Sequence, residues 1–269
     1  MRTLQAKNKS WREAFAVYRK PRVLGMIFLG FSAGLPFLLV YSTLSTWLSF
    51  EGVSRTTIGF FSWIGITYSI KVFWAPIVDR LALPLLTKAL GKRRSWMLLA
   101  QICIVIGILG MAFTEPSSQL RQIAIFALCV AFGSATQDIV VDAYRIEAVD
   151  KLLQGAMAAT YVLGYRVALL VAGAGPLFLA DAYSWQLAYI VMATLMGIGF
   201  VTTLLISEPE HIVSKSTFEL EENLEKGAGL TKTSNIFARL ASWFINAVIS
   251  PFVDFFQRHG WLALSILLL

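Results

Sequence analysis

Charge is what this sequence has least of. Asp, Glu, Lys and Arg make up 14% of its 269 residues, where a soluble domain carries about 25%. Apolar residues make up 57% and the mean hydropathy is +0.68. A water-soluble fold of this size could not hide so much apolar surface, so the lipid bilayer is the expected solvent. Cysteine is nearly absent. Cys103 and Cys129 both fall inside apolar runs, without CxxC or Cys/His spacing, so neither a disulfide framework nor a metal site is supported. Histidine is equally scarce: His211 and His259 lie in or beside one polar stretch. No Ser/His/Asp, metal or phosphate-loop constellation appears, so neither an enzyme nor a resident cofactor is expected. The formal charge of +7 would raise nucleic acid as a partner in a soluble protein. Here the basic residues fall between apolar runs, and no nucleic acid is expected. The first 22 residues are basic and polar, with no cleavable signal pattern.

What is abundant is long apolar sequence. A spanning helix needs about 20 mostly apolar residues. Six candidates occur, at 23–48, 56–78, 96–114, 121–144, 154–180 and 186–206. The expected organisation is a basic N-terminus (1–22), a six-helix bundle (23–206), a polar linker (207–260) and the start of a seventh helix (261–269). The fold class is therefore an all-α membrane protein. Nine residues of helix rise only about 14 Å, roughly half the hydrocarbon thickness, so the chain is expected to stop inside that seventh span. Within the linker, Phe237, Leu240, Phe244 and Val248 recur at helical spacing. They predict an amphipathic segment over 236–257, interrupted by Pro251.

Lys and Arg predict the topology. Nineteen of the 23 fall before the first span, in the second-to-third and fourth-to-fifth loops, or in the linker. The opposite loops hold only Arg55 and Arg121. This asymmetry places the N-terminus and the linker in the cytoplasm, with an even number of crossings between them.

Charges inside spans are costly and mark functional candidates. Arg166 lies roughly 17 Å into the fifth span at helical rise, too deep for easy snorkelling. It is expected to face a polar cavity, a substrate anion or a structural carboxylate. Lys71 and Asp138 lie at similar heights in the second and fourth spans. They could pair, or Asp138 could carry a proton. Asp142 follows one turn below Asp138, and Arg145 three residues later; both lie near the headgroups, as an interfacial gate or a helix cap. Tyr165, with Trp63, Tyr68 and Tyr161, is placed to stack on a sugar ring, and Gln137 adds an amide beside Asp138. The other tryptophans, such as Trp47, Trp74, Trp96 and Trp185, suit an aromatic belt. Gly30 and Gly34 in the first span, and Gly164 with Ala168 and Ala172 in the fifth, are steps for close helix packing.

The loop APIVDRLALPLLTKALGKRRSW, with Asp79-Arg80 and Gly91-Lys92-Arg93-Arg94, resembles the signature loop of the major facilitator superfamily, lengthened by an insertion. GFSAGLP at 30–36, SATQDIVVDAYRIE at 134–147, LGYRVALLVAGAGPLFLAD at 163–181 and PFVDFFQRHGW at 251–261 narrow the resemblance to the AmpG-type muropeptide permeases. That resemblance implies the N-terminal half of a two-bundle transporter whose second bundle is missing from this chain. It implies import of anhydro-muropeptides (GlcNAc-1,6-anhydro-MurNAc peptides) across the bacterial inner membrane for cell-wall recycling, with the proton as coupling ion. The substrate or coupling candidates are then Arg166, Asp138, Lys71, Gln137 and Tyr165. The cytoplasmic latch candidates are Asp79, Arg80, Arg93 and Arg94, with Asp142, Arg145 and Glu147 at the end of the fourth span. A facilitator for another large organic anion, and a membrane fragment that transports nothing, are the alternatives.

Overall fold

A computed structural model describes residues 15–209. The amphipathic segment expected at 236–257, the helix expected at 261–269, and most of the basic N-terminus and linker lie outside the described residues. Among the described residues there are helices and no strands.

The chain enters its first helix at Pro21, where a proline costs no hydrogen bond because the first amides have no helical partner. Helix α1 runs Pro21–Val40 and α2 runs Ser42–Phe50, with a break at Tyr41 (φ −114°, ψ −101°). Together they form one apolar rod, Pro21–Phe50, long enough to cross a membrane. Four more such segments follow: Lys92–Ala112, Leu120–Glu147, Lys151–Ala182 and Trp185–Leu205. These contain α7 (Lys92–Ala112), α8 (Leu120–Glu147), α9 (Gln154–Ala182), α10 (Trp185–Leu195) and α11 (Gly197–Leu205).

The second expected span departs from the sequence reading. Residues 55–80 are helical in pieces: α3 (Arg55–Phe61), α4 (Ile66–Ile70) and α5 (Ala75–Arg80), joined by 3-10 turns at Ser62–Gly65 and Lys71–Phe73. No single helix there reaches spanning length. Its sequence explains the segmentation. Gly59 and Gly65 loosen the backbone, β-branched residues crowd the preceding turn, and Pro76 supplies no amide donor. A short helix, α6 (Leu86–Leu90), lies in the following loop.

The rods pack through glycine. A Cβ on Gly30 would overlap the carbonyl oxygen of Tyr161, and one on Gly164 would overlap that of Ile27. Helices α1 and α9 therefore meet backbone to backbone, as their small-residue spacing predicts. Two apolar cores result. One holds Leu35, Leu39, Trp47, Ile104, Ile108, Ala127, Ala168 and Tyr189. The other holds Val23, Met26, Val78, Met97, Val140, Tyr144 and Met157. Four of the five rods contribute to both and Ile206, just past the end of the fifth, joins the second, so the cores sit at opposite ends of the bundle.

Candidate functional site

What lies between the two cores is polar. On α1 the gap between Leu29 and Leu35 holds Ser32, on α7 the gap between Met97 and Ile104 holds Gln101, and on α8 the gap between Ala131 and Val140 holds Ser134, Thr136, Gln137 and Asp138. The same level of the 55–80 stretch holds Tyr68 and Lys71, and that of α9 holds Tyr161, Tyr165 and Arg166. A belt of hydrogen-bonding groups thus crosses the bundle between two greasy ends.

Part of the belt is held by hydrogen bonds between the helices. Gln137 Nε2 donates to Ser32 Oγ at 2.9 Å, and Gln101 Nε2 donates to Thr203 Oγ1 at 3.0 Å. Pro36 has no amide proton to give to the carbonyl of Ser32, so that turn of α1 is already short of one helical bond. Trp74 Nε1 donates to Thr136 Oγ1 at 3.1 Å.

The other part opens outward. Lys71 Nζ lies 3.6 Å from Asp138 Oδ2, with side chains 35% and 20% exposed. The structural pairing anticipated for these two residues is therefore present. Tyr68, Tyr161 and Tyr165 lie within electrostatic range of Asp138, and the rings of Tyr161 and Tyr165 are 6.1 Å apart. Two acceptors here, Gln137 Oε1 and Asp138 Oδ1, and beside them the Tyr68 hydroxyl, are buried without a hydrogen-bond partner among the described residues. Buried acceptors are almost always satisfied, so these two mark where a further donor fits. Arg166 is on the exposed face of α9 and forms no ion pair among the described residues. Asp138 is paired with Lys71 and not with Arg166.

At one end of the bundle the latch candidates separate into three groups. Arg93, whose side chain is 7% exposed, holds Glu147 through two hydrogen bonds (2.9 and 2.5 Å) and Asp79 through a third (2.6 Å). This ties α5, α7 and α8 together by the planar fork that only arginine offers. Arg94, a latch candidate, meets main-chain carbonyls. Its Nε donates to the carbonyl of Thr203 at 2.8 Å and its Nη2 to that of Leu204, at the C-terminus of α11. Asp142 and Arg145 pair with each other at 3.1 Å along one turn of α8, outside the Arg93 cluster, as a local i,i+3 contact. Lys92 reaches the carbonyl of Asp79. The side chain of Arg80 lies outside the described set.

Two members of this end escaped sequence reasoning. The carboxylate of Glu208 accepts the backbone N–H groups of Arg93 (2.7 Å) and Arg94 (3.1 Å), capping the positive start of α7. Gly91 has φ +87°, and a Cβ there would strike that carboxylate. Arg22 donates to Ser207 Oγ (3.1 Å) and to the carbonyl of Ala148 (2.5 Å). The available signal was an acid immediately after the last span and a basic residue immediately inside the first. Neither says which distant backbone it will meet.

Comparison with known proteins fits this architecture. The chain is 37% identical over 255 residues to the anhydromuropeptide permease of Escherichia coli (strain K12), covering 94% of this chain and 46% of the permease. It is 32% identical over 254 residues to putative transporter AmpG 4 of Rickettsia felis, covering 94% and 56%. An uncharacterized protein of Haemophilus influenzae is 37% identical over 239 residues, covering 89% and 50%. The chain spans about half the length of the curated relatives it matches. The model of the Major Facilitator Superfamily matches residues 81–269, well over half of the chain. With its helical rods, its polar belt and its Arg93 cluster, this multi-pass membrane protein belongs to the Major Facilitator Superfamily.

Proposed function

We propose that the chain is the N-terminal half of a proton-coupled importer of anhydro-muropeptides, working in the bacterial inner membrane with its N-terminus in the cytoplasm. The observation that carries the reading is the polar belt at mid-height, with Lys71–Asp138 ringed by tyrosines and Arg166 unpaired on the neighbouring helix. Facilitator-type transporters bind substrate near the midplane between two half-bundles. An open guanidinium suits the carboxylates of a peptide stem, and the half-buried rings of Tyr68, Tyr161 and Tyr165 suit a sugar face. Asp138 has one oxygen on Lys71 and one without a hydrogen bond, which suits a group that gains and loses a proton during turnover. The 19-to-2 division of basic loop residues supports the orientation. So does the gathering of Arg22, Arg93, Glu147 and Ser207 at one end.

The test is uptake of labelled anhydro-muropeptide in cells lacking their own permease, by the chain alone and by the chain joined to the reading frame that follows it. Arg166→Ala should leave folded protein in the membrane and abolish uptake by the joined form. Arg166→Lys should impair it, since lysine keeps the charge and loses the fork. Near-normal uptake by well-folded Arg166→Ala rejects the substrate role of Arg166. Absence of any muropeptide uptake by the joined wild type rejects the function.

A further inference from the structure

Two cavities meet where α1 begins. The larger, about 860 Å³, is a groove between α1 and α10–α11, walled by Leu24, Phe28, Ile198, Val201 and Leu205. The smaller, about 420 Å³, lies against Lys20, Arg22, Asp150 and Ser207. Pro21, Arg22 and Ser207 line both. The groove is apolar and its walls are open: Leu24, Phe28, Val201 and Leu205 are all exposed. The small cavity carries two cations against one carboxylate, Asp150.

The junction is built rather than incidental. Arg22 is pinned by its bonds to Ser207 and Ala148, which use Nε and Nη1. Its Nη2 has no partner among the described residues. Lys20 is exposed beside it. From Thr194 to Ser207 the groove wall runs about 20 Å at helical rise, enough for one leaflet of hydrocarbon, about 15 Å. An apolar slot of leaflet length that opens onto a net positive pocket has the shape and charge of one amphiphile. Basic pockets between membrane helices are suited to anionic lipid headgroups.

We propose that this composite is a site for an anionic phospholipid, with an acyl chain in the groove between α1 and α11 and the phosphate on Lys20 and Arg22. The experiment uses the full chain, purified and probed by native mass spectrometry with phosphatidylglycerol and phosphatidylcholine of matched acyl chains. Wild type should retain phosphatidylglycerol in preference by roughly fivefold or more, the scale of one basic side chain near a headgroup. Lys20→Glu, a change at an exposed residue, should bring the two lipids to parity. Gly197 lines the groove, and a Cβ there meets nothing within 4 Å. Gly197→Phe, whose Cβ has room, should therefore reach into the slot and lower retention of both lipids by the folded protein. Water-soluble glycerol phosphate should displace neither. Equal retention of the two lipids by wild type overturns the proposal. So does displacement by glycerol phosphate, which would make this a soluble-anion site, or undiminished phosphatidylglycerol retention by folded Gly197→Phe.

Discussion

Arg93 is the residue on which one end of the bundle turns. Its guanidinium serves two carboxylates on two other helical segments and is almost wholly covered. Arg93→Ala would leave Asp79 and Glu147 facing each other without the cation. The carboxylates left behind are 46% and 28% exposed, so losing these charge-assisted hydrogen bonds should cost about 1.5–3 kcal/mol. The variant should lose most of its detergent-stable fraction in a thermal melt, and Arg93→Lys should recover only part of it; a wild-type melt for Arg93→Ala would count against the cluster. The intramembrane pair has a different signature. Lys71→Met should lower detergent stability by stranding Asp138, and Lys71→Met with Asp138→Asn should restore it. The partnership is disproved by a double variant no more stable than Lys71→Met alone. These pairings differed in how far the sequence revealed them. Lys71 and Asp138 were legible because both are anomalous in lipid and lie at matching depth. Arg94 was not, because its partners are the main-chain carbonyls of Thr203 and Leu204, and main-chain groups are the same in every sequence. Asp142 and Arg145 were latch candidates by resemblance to the family, and the contact they make is with each other, three residues apart on one helix.

Among the elements, α1 and α9 form the tightest pair. Gly164→Leu would drive a side chain into the main chain of Ile27, where no rotamer offers relief. Overpacking typically costs 1–3 kcal/mol when side chains can yield, and backbone cannot, so a larger loss is expected, roughly 3 kcal/mol or more. The expected outcome is little or no monodisperse protein on size-exclusion chromatography. Gly59→Leu is the control, because a Cβ there meets nothing within 4 Å, and its profile should match wild type. Equal profiles for the two variants would remove the case for backbone contact. Glycine spacing made this contact readable from sequence, and hydropathy found the five long rods within a few residues of their ends. The 55–80 stretch was read as one continuous helix because a hydropathy window weighs apolarity alone. Whether consecutive amides keep i→i−4 bonding depends on glycine, proline and β-branching, which such a window does not weigh.

The molecule as a whole has a direction. The start of α1, the ends of α5, α8 and α11 and the start of α7 all converge on the Arg22 and Arg93 contacts. The proposed cytoplasmic N-terminus predicts that, in a Cys103→Ala, Cys129→Ala background, Leu152→Cys reacts with a membrane-impermeant maleimide only after the inner membrane is opened. Ser118→Cys, in the α7–α8 loop, should react from the periplasm in intact cells. The reverse pattern would invert the topology. The reciprocal caps between α7 and α11 also bear on how such a chain is made. Glu208 leaves the ribosome 115 residues after Arg93, whose amide it caps. Until then the leading amides of α7 have only water or lipid headgroups to serve them, and the last carbonyls of α11 do not yet exist for Arg94. Sealing that end therefore waits for the residues that emerge just after the last described rod. Defects at Glu208 should accordingly appear as clearance of freshly inserted protein by membrane proteases, and not as slow turnover by the molecules that survive.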